Sequence, residues 1–330
     1  MKKILIALLA IVTFNFSYSA EIINQKENFN KFWTEAKGKD LDTQQKLFAK
    51  YIESVDPTFY KENVWGSTYS DTWQEERLET IKEIVGVYDK VGIKKIDETY
   101  DLYEKTAKDV FKLYEKRVPD YNSDIIVMLT PAITWGGSYM PGTNHEYLGM
   151  GIDRYLMTPT ILVEPLMIHE TFHHYHFQTR TKRHPDFKIS DEVYTKEGKL
   201  FWQLWDEGMA MWGTAYVANN FDPNYALMSD DPNRYNISKA QLQRYAKLFL
   251  EEIDNPAIDR KNPINVKKWF GARVKDNPLG KDTPPMIGYY MGFLVIKRIN
   301  ESGISREEFM GWNYEEARPY IVKELKKMIK

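Results

Sequence analysis

The sequence predicts an α+β protein that is mostly helical, with one small mixed or antiparallel sheet. Apolar residues recur three and four positions apart between charged residues from Asn24 to about Val118, and this helical pattern resumes after residue 159. Between these regions, the run DIIVMLT (124–130) is rich in β-forming residues, and the stretch that follows is loaded with Gly, Pro and Thr. The aromatic share of 14% argues against disorder.

The helical elements can be placed in chain order from their start signals. SDTWQEE resembles a helix start with Ser70 or Asp71 as the cap, and Ser238 begins a capping box in SKAQ. A helix that begins at Pro159 or Pro165 is expected to run to about Arg180. Further helices are predicted over 196–218, 287–299 and 305–329.

The first twenty residues, MKKILIALLAIVTFNFSYSA, have the pattern of a secretory signal peptide, with two lysines, an apolar run and then small residues. The apolar run is shorter than the roughly 20 residues of a membrane-spanning helix, and the chain has no cysteine for a disulfide or a lipid anchor. We therefore expect an exported protein, periplasmic or secreted, that has no membrane anchor.

The charge balance gives no reason to expect nucleic acid as a partner. Loss of Lys2 and Lys3 with the leader reduces the 45 basic residues to 43 against 47 acidic ones, a net charge of about −4. An anionic membrane surface is disfavoured for the same reason.

The segment HETFHHYHF (169–177) holds four of the six histidines, and His169, Glu170 and His173 form the pattern H-E-x-x-H. On a helix, residues four apart lie above one another, so both imidazoles can share one tetrahedral metal ion. Glu170 lies about 100° around the helix and can reach a metal-bound water without being a ligand. Zinc lowers the pKa of such a water towards ~7, and a carboxylate can take its proton, which is what hydrolysis at neutral pH requires. A chance match on a surface helix is the alternative, and the apolar run ILVEPLMI argues against it.

The other two histidines of the segment have different expected roles. His174 follows Glu170 by four positions, so we expect a contact with that acid or simple packing. His176 returns to within about 20° of the stripe of His169, but it lies roughly 10 Å further along the helix axis. We therefore expect His176 to bind substrate in the cleft rather than the same metal ion.

Two histidines leave a zinc ion short of a protein ligand. The metzincin pattern would require a glycine and a histidine where this chain has His176 and Thr179, so it does not apply. The remaining source is an acid on a following helix, and WDEGMAMW (205–212) offers Asp206 and Glu207. Gly208 and Ala210 would leave a low surface where another helix can approach closely.

HETFH followed by WDEGMAMW resembles the gluzincin pattern of zinc metallopeptidases, and more narrowly a group of secreted bacterial zinc-dependent proteases of otherwise unknown function. The resemblance covers about residues 120–220 and, more weakly, 287–299. It implies one zinc per chain and Glu207 as the third ligand, with Asp206 as a rival for that role. Met211 stands where a second acid often lies in the resembled group, so the partner of a ligand histidine must come from elsewhere. The candidates are Glu164, Asp191 and Glu192.

The resemblance also implies the remaining parts of a peptidase. A tyrosine from the C-terminal region would stabilise the oxyanion, and GYYMGF offers Tyr289 or Tyr290, although such a stripe is also typical of helix packing. Zincins bind substrate against the edge of the small sheet. EYLGMGID (146–153) would supply that edge through Gly149 and Gly151, unless it is only a turn-rich bulge.

The expected organisation is a signal peptide (1–20), a helical N-terminal region (21–118), a zincin-like metal-binding core (119–220), and a helical C-terminal region that completes the catalytic unit (221–330). The expected function is an exported single-zinc metallopeptidase that acts on a peptide or protein substrate. Two other classes stay open: a periplasmic protein that binds zinc or copper, and a zincin-fold protein that binds peptides or glycans without hydrolysis.

Overall fold

A computed structural model of the chain describes residues 20–66, 71–131, 137–141, 145–157, 162–186, 199–253, 263–271 and 277–330. The predicted fold class is confirmed, because the chain is mostly helical with a small mixed sheet. Residues 1–19 of the predicted signal peptide (1–20) and the suggested cap Ser70 lie outside the described residues.

The N-terminal helices are α1 (Lys26–Ala36), α2 (Leu41–Tyr51), the single turn α3 (Pro57–Phe59), α4 (Trp73–Val91) and α5 (Ile93–Arg117). A 3₁₀ turn at Glu53–Val55 precedes α3, and a π-helical turn at Tyr60–Val64 follows it. Asp40 caps α2 by accepting from the Thr43 N–H, and Gly92, at φ +83°, separates α4 from α5. Their inward faces are aromatic: Phe29 packs against Tyr88 and Tyr100 at centroid distances of 4.3 and 6.2 Å.

The sheet has four strands in the order β1-β2-β4-β3: β1 (Glu21–Asn24), β2 (Ile126–Thr130), β3 (Gly137–Pro141) and β4 (Glu146–Gly151). β1 and β4 both run parallel to β2, and β3 runs antiparallel to β4. β1 was missed in the sequence, where four residues beside a long helical pattern carry too weak a period to stand out. Because β1 pairs with β2, the N-terminal region contributes a strand to the sheet that precedes the helix with the H-E-x-x-H pattern.

The central helices follow the sheet as α6 (Ile152–Met157), α7 (Val163–Arg183) and α8 (Lys199–Ala218). α7 begins between the two prolines suggested as its start. It packs on α8 where Gly213 faces the Phe172 ring, since a Cβ at Gly213 would lie 2.2 Å from that ring. The two helices that carry the candidate ligands are therefore in direct contact.

The C-terminal helices are α9 (Pro223–Ala226), α10 (Lys239–Ile253), α11 (Pro263–Phe270), α12 (Ile287–Glu301), α13 (Arg306–Met310) and α14 (Tyr314–Ile329). The predicted capping box at Ser238 is present: its hydroxyl accepts from the Gln241 N–H, and the Gln241 side chain accepts from the Ser238 N–H. None of the helices in the described ranges is both long enough and apolar enough to cross a membrane.

α12 crosses α8 closely because glycine meets glycine at the contact. A Cβ built on Gly208 would lie 2.6 Å from the Gly292 carbonyl carbon, and one on Gly292 would lie 2.4 Å from the Leu204 oxygen. The absence of a side chain at Gly208 therefore allows α12 of the C-terminal region to pack closely against α8, as expected. This crossing brings the C-terminal region onto the helix of Glu207.

Candidate metal centre

Helix α7 presents His169, Glu170 and His173 together. One ligand atom of each lies within 4.8 Å of the others, and the two imidazole rings meet edge to face at a centroid distance of 4.7 Å. His169 is buried, whereas the His173 side chain is 19% exposed. Within the described chain, this cluster therefore has one side open to solvent.

Glu207 on α8 completes a set of three donor atoms. Its Oε2 lies 3.3 Å from His169 Nε2 and 3.4 Å from His173 Nε2, and the two Nε2 atoms lie 3.1 Å apart. Zinc bonds of about 2.0–2.1 Å at tetrahedral angles place neighbouring donors about 3.3–3.4 Å apart. The three atoms thus have the spacing of three corners of a tetrahedral zinc site.

Opposite charge stabilises this arrangement in the metal-free protein. Burial alone would raise the pKa of Glu207, but its hydrogen bonds and charge interactions with both histidines lower the pKa well below its ordinary value. Burial likewise opposes charge on His173, and the hydrogen bond and charge of Glu207 outweigh it, raising the His173 pKa to about 9. Glu207 is therefore an anion at neutral pH and competes for the same nitrogens that a metal would use.

Asp206, the rival third ligand, is turned towards other partners. Its Oδ1 accepts a hydrogen bond from Arg180 Nη1 at 3.2 Å and lies 3.6 Å from His176 Nδ1. Arg180 is itself buried and lies over the rings of Trp202 and Trp205. Neighbouring residues on a helix point about 100° apart, so one turn of α8 can direct Glu207 to the histidines and Asp206 to Arg180.

Glu170 is buried between α7 and strand β3. Its Oε2 accepts the backbone N–H of Tyr139 at 3.3 Å, and a Cβ on Gly137 would lie 2.8 Å from its Cγ. Burial raises the pKa of Glu170, and the charge of Glu207 raises it further, while the two histidines act in the opposite direction. Glu170 thus lies beside the donor atoms as a carboxylate with an increased affinity for a proton.

The two candidate tyrosines of α12 have different surroundings. The Tyr289 ring lies 6.4 Å from the His169 ring. Burial and the nearby charges of Glu207 and Glu170 raise the pKa of Tyr289 well above its usual value, so the hydroxyl stays protonated. Tyr290 instead stacks on Tyr235, at a centroid distance of 5.2 Å. The structure therefore brings Tyr289 to the cluster and places Tyr290 in a separate aromatic contact.

Of the other two histidines in the segment, His174 is packed in the interior, one of the two outcomes expected for it, whereas His176 does not take its expected position. His174 is fully buried, and its partners are the Tyr121 hydroxyl at 2.9 Å and the Glu146 carboxylate at 2.7 Å rather than Glu170. His176 is only 1% exposed and lies under Trp205, at a centroid distance of 5.7 Å. α8 covers that stripe of α7, so His176 does not present a surface to an open cleft.

Gly149 and Gly151 do not lie at the edge of the sheet, which corrects the expectation for a substrate-binding edge. They belong to β4, which pairs with β2 on one side and β3 on the other, in a register that sets Gly149 opposite Met128 and Ser138. The strand next to Glu170 with an open side is β3. A sequence period can identify a strand but not its neighbours, and the order of the strands decides which is the edge.

Of the three candidates for the partner of a ligand histidine, Glu164 is the one within the described residues, and its carboxylate accepts from the Tyr225 hydroxyl at 2.5 Å. Asp191 and Glu192 lie outside the described residues. His169 Nδ1 is buried without a hydrogen-bond partner among the described residues.

Three residues around the cluster were not singled out in the sequence: Tyr139, Glu146 and Arg180. Arg180 could have been identified from the sequence, because it follows His176 by four positions on a buried face, where an arginine requires a partner. Tyr139 and Glu146 could not, since their contacts depend on the order and register of the strands.

Comparisons of the chain with protein-family models, with curated proteins and with solved structures found no match. The gluzincin resemblance therefore depends on the residues themselves, in HETFH and WDEGMAMW.

Proposed function

We propose that this protein is an exported metallopeptidase that holds one zinc ion with His169, His173 and Glu207. The observation that carries the proposal is the spacing of their three donor atoms, 3.1, 3.3 and 3.4 Å, on two helices that pack together. Two neutral nitrogens and one carboxylate are a donor set that suits zinc at catalytic sites, with the fourth position left for water or substrate.

Each neighbouring residue has a role that follows from its position. Bound zinc would supply a Lewis acid for the scissile carbonyl and a water of lowered pKa. Glu170, whose pKa burial raises, would take up a proton at its carboxylate beside the three donor atoms and release it to the leaving amine. The Tyr289 hydroxyl donates a hydrogen bond to the carbonyl oxygen as negative charge develops there. An extended peptide adds to β3, whose Tyr139 N–H already points at Glu170.

The proposal is tested by zinc content and by cleavage of a peptide library in four proteins: wild type, Glu170→Gln, Glu207→Gln and Asp206→Asn. We expect one zinc per chain in wild type, and zinc retained with activity lost in Glu170→Gln. Glu207→Gln is expected to bind zinc at least ~10-fold more weakly, because it removes a charged ligand. Asp206→Asn is the matched control, since it removes the neighbouring carboxylate, which is held by Arg180.

Full cleavage by Glu170→Gln would refute the peptidase proposal. Several zinc ions per chain, with binding unchanged in Glu207→Gln, would favour a metal-binding protein instead. Peptide binding without cleavage by the zinc-loaded wild type would favour a non-catalytic binding protein.

A further inference from the structure

We propose that Glu146, His174 and Tyr121 form a positioning unit that fixes strand β3 against α7 and, through Tyr139, holds the carboxylate of Glu170. The inference deepens the proposed peptidase function and rests on it for its catalytic consequence. Its structural consequence, a rigid β3, can be measured without any activity.

The unit is centred on His174, which is fully buried one residue after a proposed zinc ligand. Its Nδ1 lies 2.9 Å from the Tyr121 hydroxyl, and its Nε2 lies 2.7 Å from Glu146 Oε2 and 2.9 Å from Gln178 Nε2. With Tyr121 donating to Nδ1, the Nε2–H donates to Glu146, at the shorter of its two contacts. Burial raises the pKa of Tyr121 well above its usual value, which keeps that hydroxyl a donor.

Glu146 joins this histidine to β3. Its second carboxylate oxygen, Oε1, accepts the hydroxyl of Tyr139, and its position at the start of β4 is opposite Pro141 in the register of the two strands. The Glu146 side chain is 31% exposed, so the carboxylate lies at the border of the core and is fixed there by two side-chain donors. Hydrogen bonds to a charged group are stronger than those between neutral groups, so this link is a firm one.

Tyr139 is held at both ends. Its ring packs between His174 and Phe177 at centroid distances of 5.2 and 5.8 Å, its hydroxyl donates to Glu146, and its backbone N–H donates to Glu170 at 3.3 Å. The side chain therefore anchors the strand to α7, and the main chain of the same residue contacts the proposed general base.

The position matters because, among the described strands, β3 has a neighbour on one side only. An edge strand without a second partner exchanges its amide protons readily unless other contacts hold it. The hydrogen bonds of Tyr139 replace the missing strand on the side of Glu170. Loss of the unit should loosen β3 without removing any zinc ligand.

The test compares Glu146→Gln with Glu164→Gln. Each substitution removes the charge of a glutamate that accepts a tyrosine hydroxyl, but the partner of Glu164 is Tyr225, which lies on α9 and not on β3. Tyr139→Phe is a milder second variant, which removes only the hydroxyl and leaves the ring in place. The measurements are zinc content, amide hydrogen exchange of residues 137–141, and kcat and KM for a library-derived peptide.

We expect ~10-fold faster exchange in residues 137–141 for Glu146→Gln and Tyr139→Phe, with one zinc retained and no such change in Glu164→Gln. We also expect kcat/KM to fall ~10-fold or more, with changes in both parameters because β3 binds the peptide and positions Glu170. The inference is overturned if residues 137–141 exchange no faster in Glu146→Gln and Tyr139→Phe than they do in Glu164→Gln. Faster exchange combined with a wild type that cleaves no peptide would leave the positioning unit standing and refute the peptidase function instead.

Discussion

Replacing Gly292 by alanine tests whether the close crossing of α8 and α12 positions Tyr289 beside Glu207. Gly292 follows Tyr289 by three positions on α12, and Gly208 is the residue after Glu207 on α8. A Cβ on Gly292 would lie 2.4 Å from the Leu204 carbonyl oxygen and 2.8 Å from Gly208 Cα. These are backbone atoms, so no side chain can rotate away to make room.

The size of the effect follows from these distances. Ordinary Cβ contacts begin at 3.4 Å, so the two helices would have to separate locally by about 1 Å, and overpacking of this kind typically costs ~1–3 kcal/mol. A displacement of about 1 Å at a catalytic group can lower the rate ~100-fold. We therefore expect Gly292→Ala to lose both stability and kcat, while His169, His173 and Glu207 still bind zinc.

Gly86→Ala is the matched control, because Gly86 lies inside α4 and a Cβ there meets nothing within 4 Å. The same substitution should stabilise the protein at this position by up to ~1 kcal/mol, since alanine favours a helix more than glycine does. The Tm values of the two variants, measured by calorimetry with zinc present, should differ by ~2–6 °C. A Gly292→Ala protein with the Tm and the activity of Gly86→Ala would refute the reasoning about the crossing.

Three further outcomes are expected. Gly137→Ala should keep its zinc but lose at least ~10-fold in kcat, because the new Cβ would lie 2.8 Å from Glu170 Cγ; wild-type steady-state kinetics would contradict this. Removal of zinc by a chelator should lower the Tm, since an ion at about 1,000 times its Kd stabilises the folded state by ~4 kcal/mol; a Tm unchanged by the chelator would count against the metal centre. In the zinc-free protein, the partnership with Glu207 outweighs the effect of burial and raises the His173 pKa to about 9, above an unfolded-state value of ~6.5. The resulting stabilisation is complete below the unfolded-state pKa of ~6.5 and is lost as the pH rises through the folded-state pKa of about 9. Calorimetry of the zinc-free protein should therefore show a Tm that falls between these two pH values in wild type and does not fall in His173→Gln.

The local sequence pattern was sufficient to predict the main helices and which residues share a face of α7. The periods of three and four residues predicted α4, α5, α7 and α8, because an amphipathic helix buries one face and carries its own hydrogen bonds. The same geometry predicted that His169 and His173 share a face of α7 with Glu170 beside them. These are relations between residues a few positions apart, which one helix fixes by itself.

Tertiary structure decided every relation between separate elements. It placed β4 inside the sheet and β3 at its edge, so the predicted edge glycines Gly149 and Gly151 lie in an inner strand. It separated Tyr289 from Tyr290 and Glu207 from Asp206, pairs whose members differ by one position in sequence but by about 100° around a helix. The sequence carries the candidates for the proposed zinc centre. Which of them meet depends on the packing of α7, α8 and α12, where Phe172 fits over Gly213 and Gly208 meets Gly292.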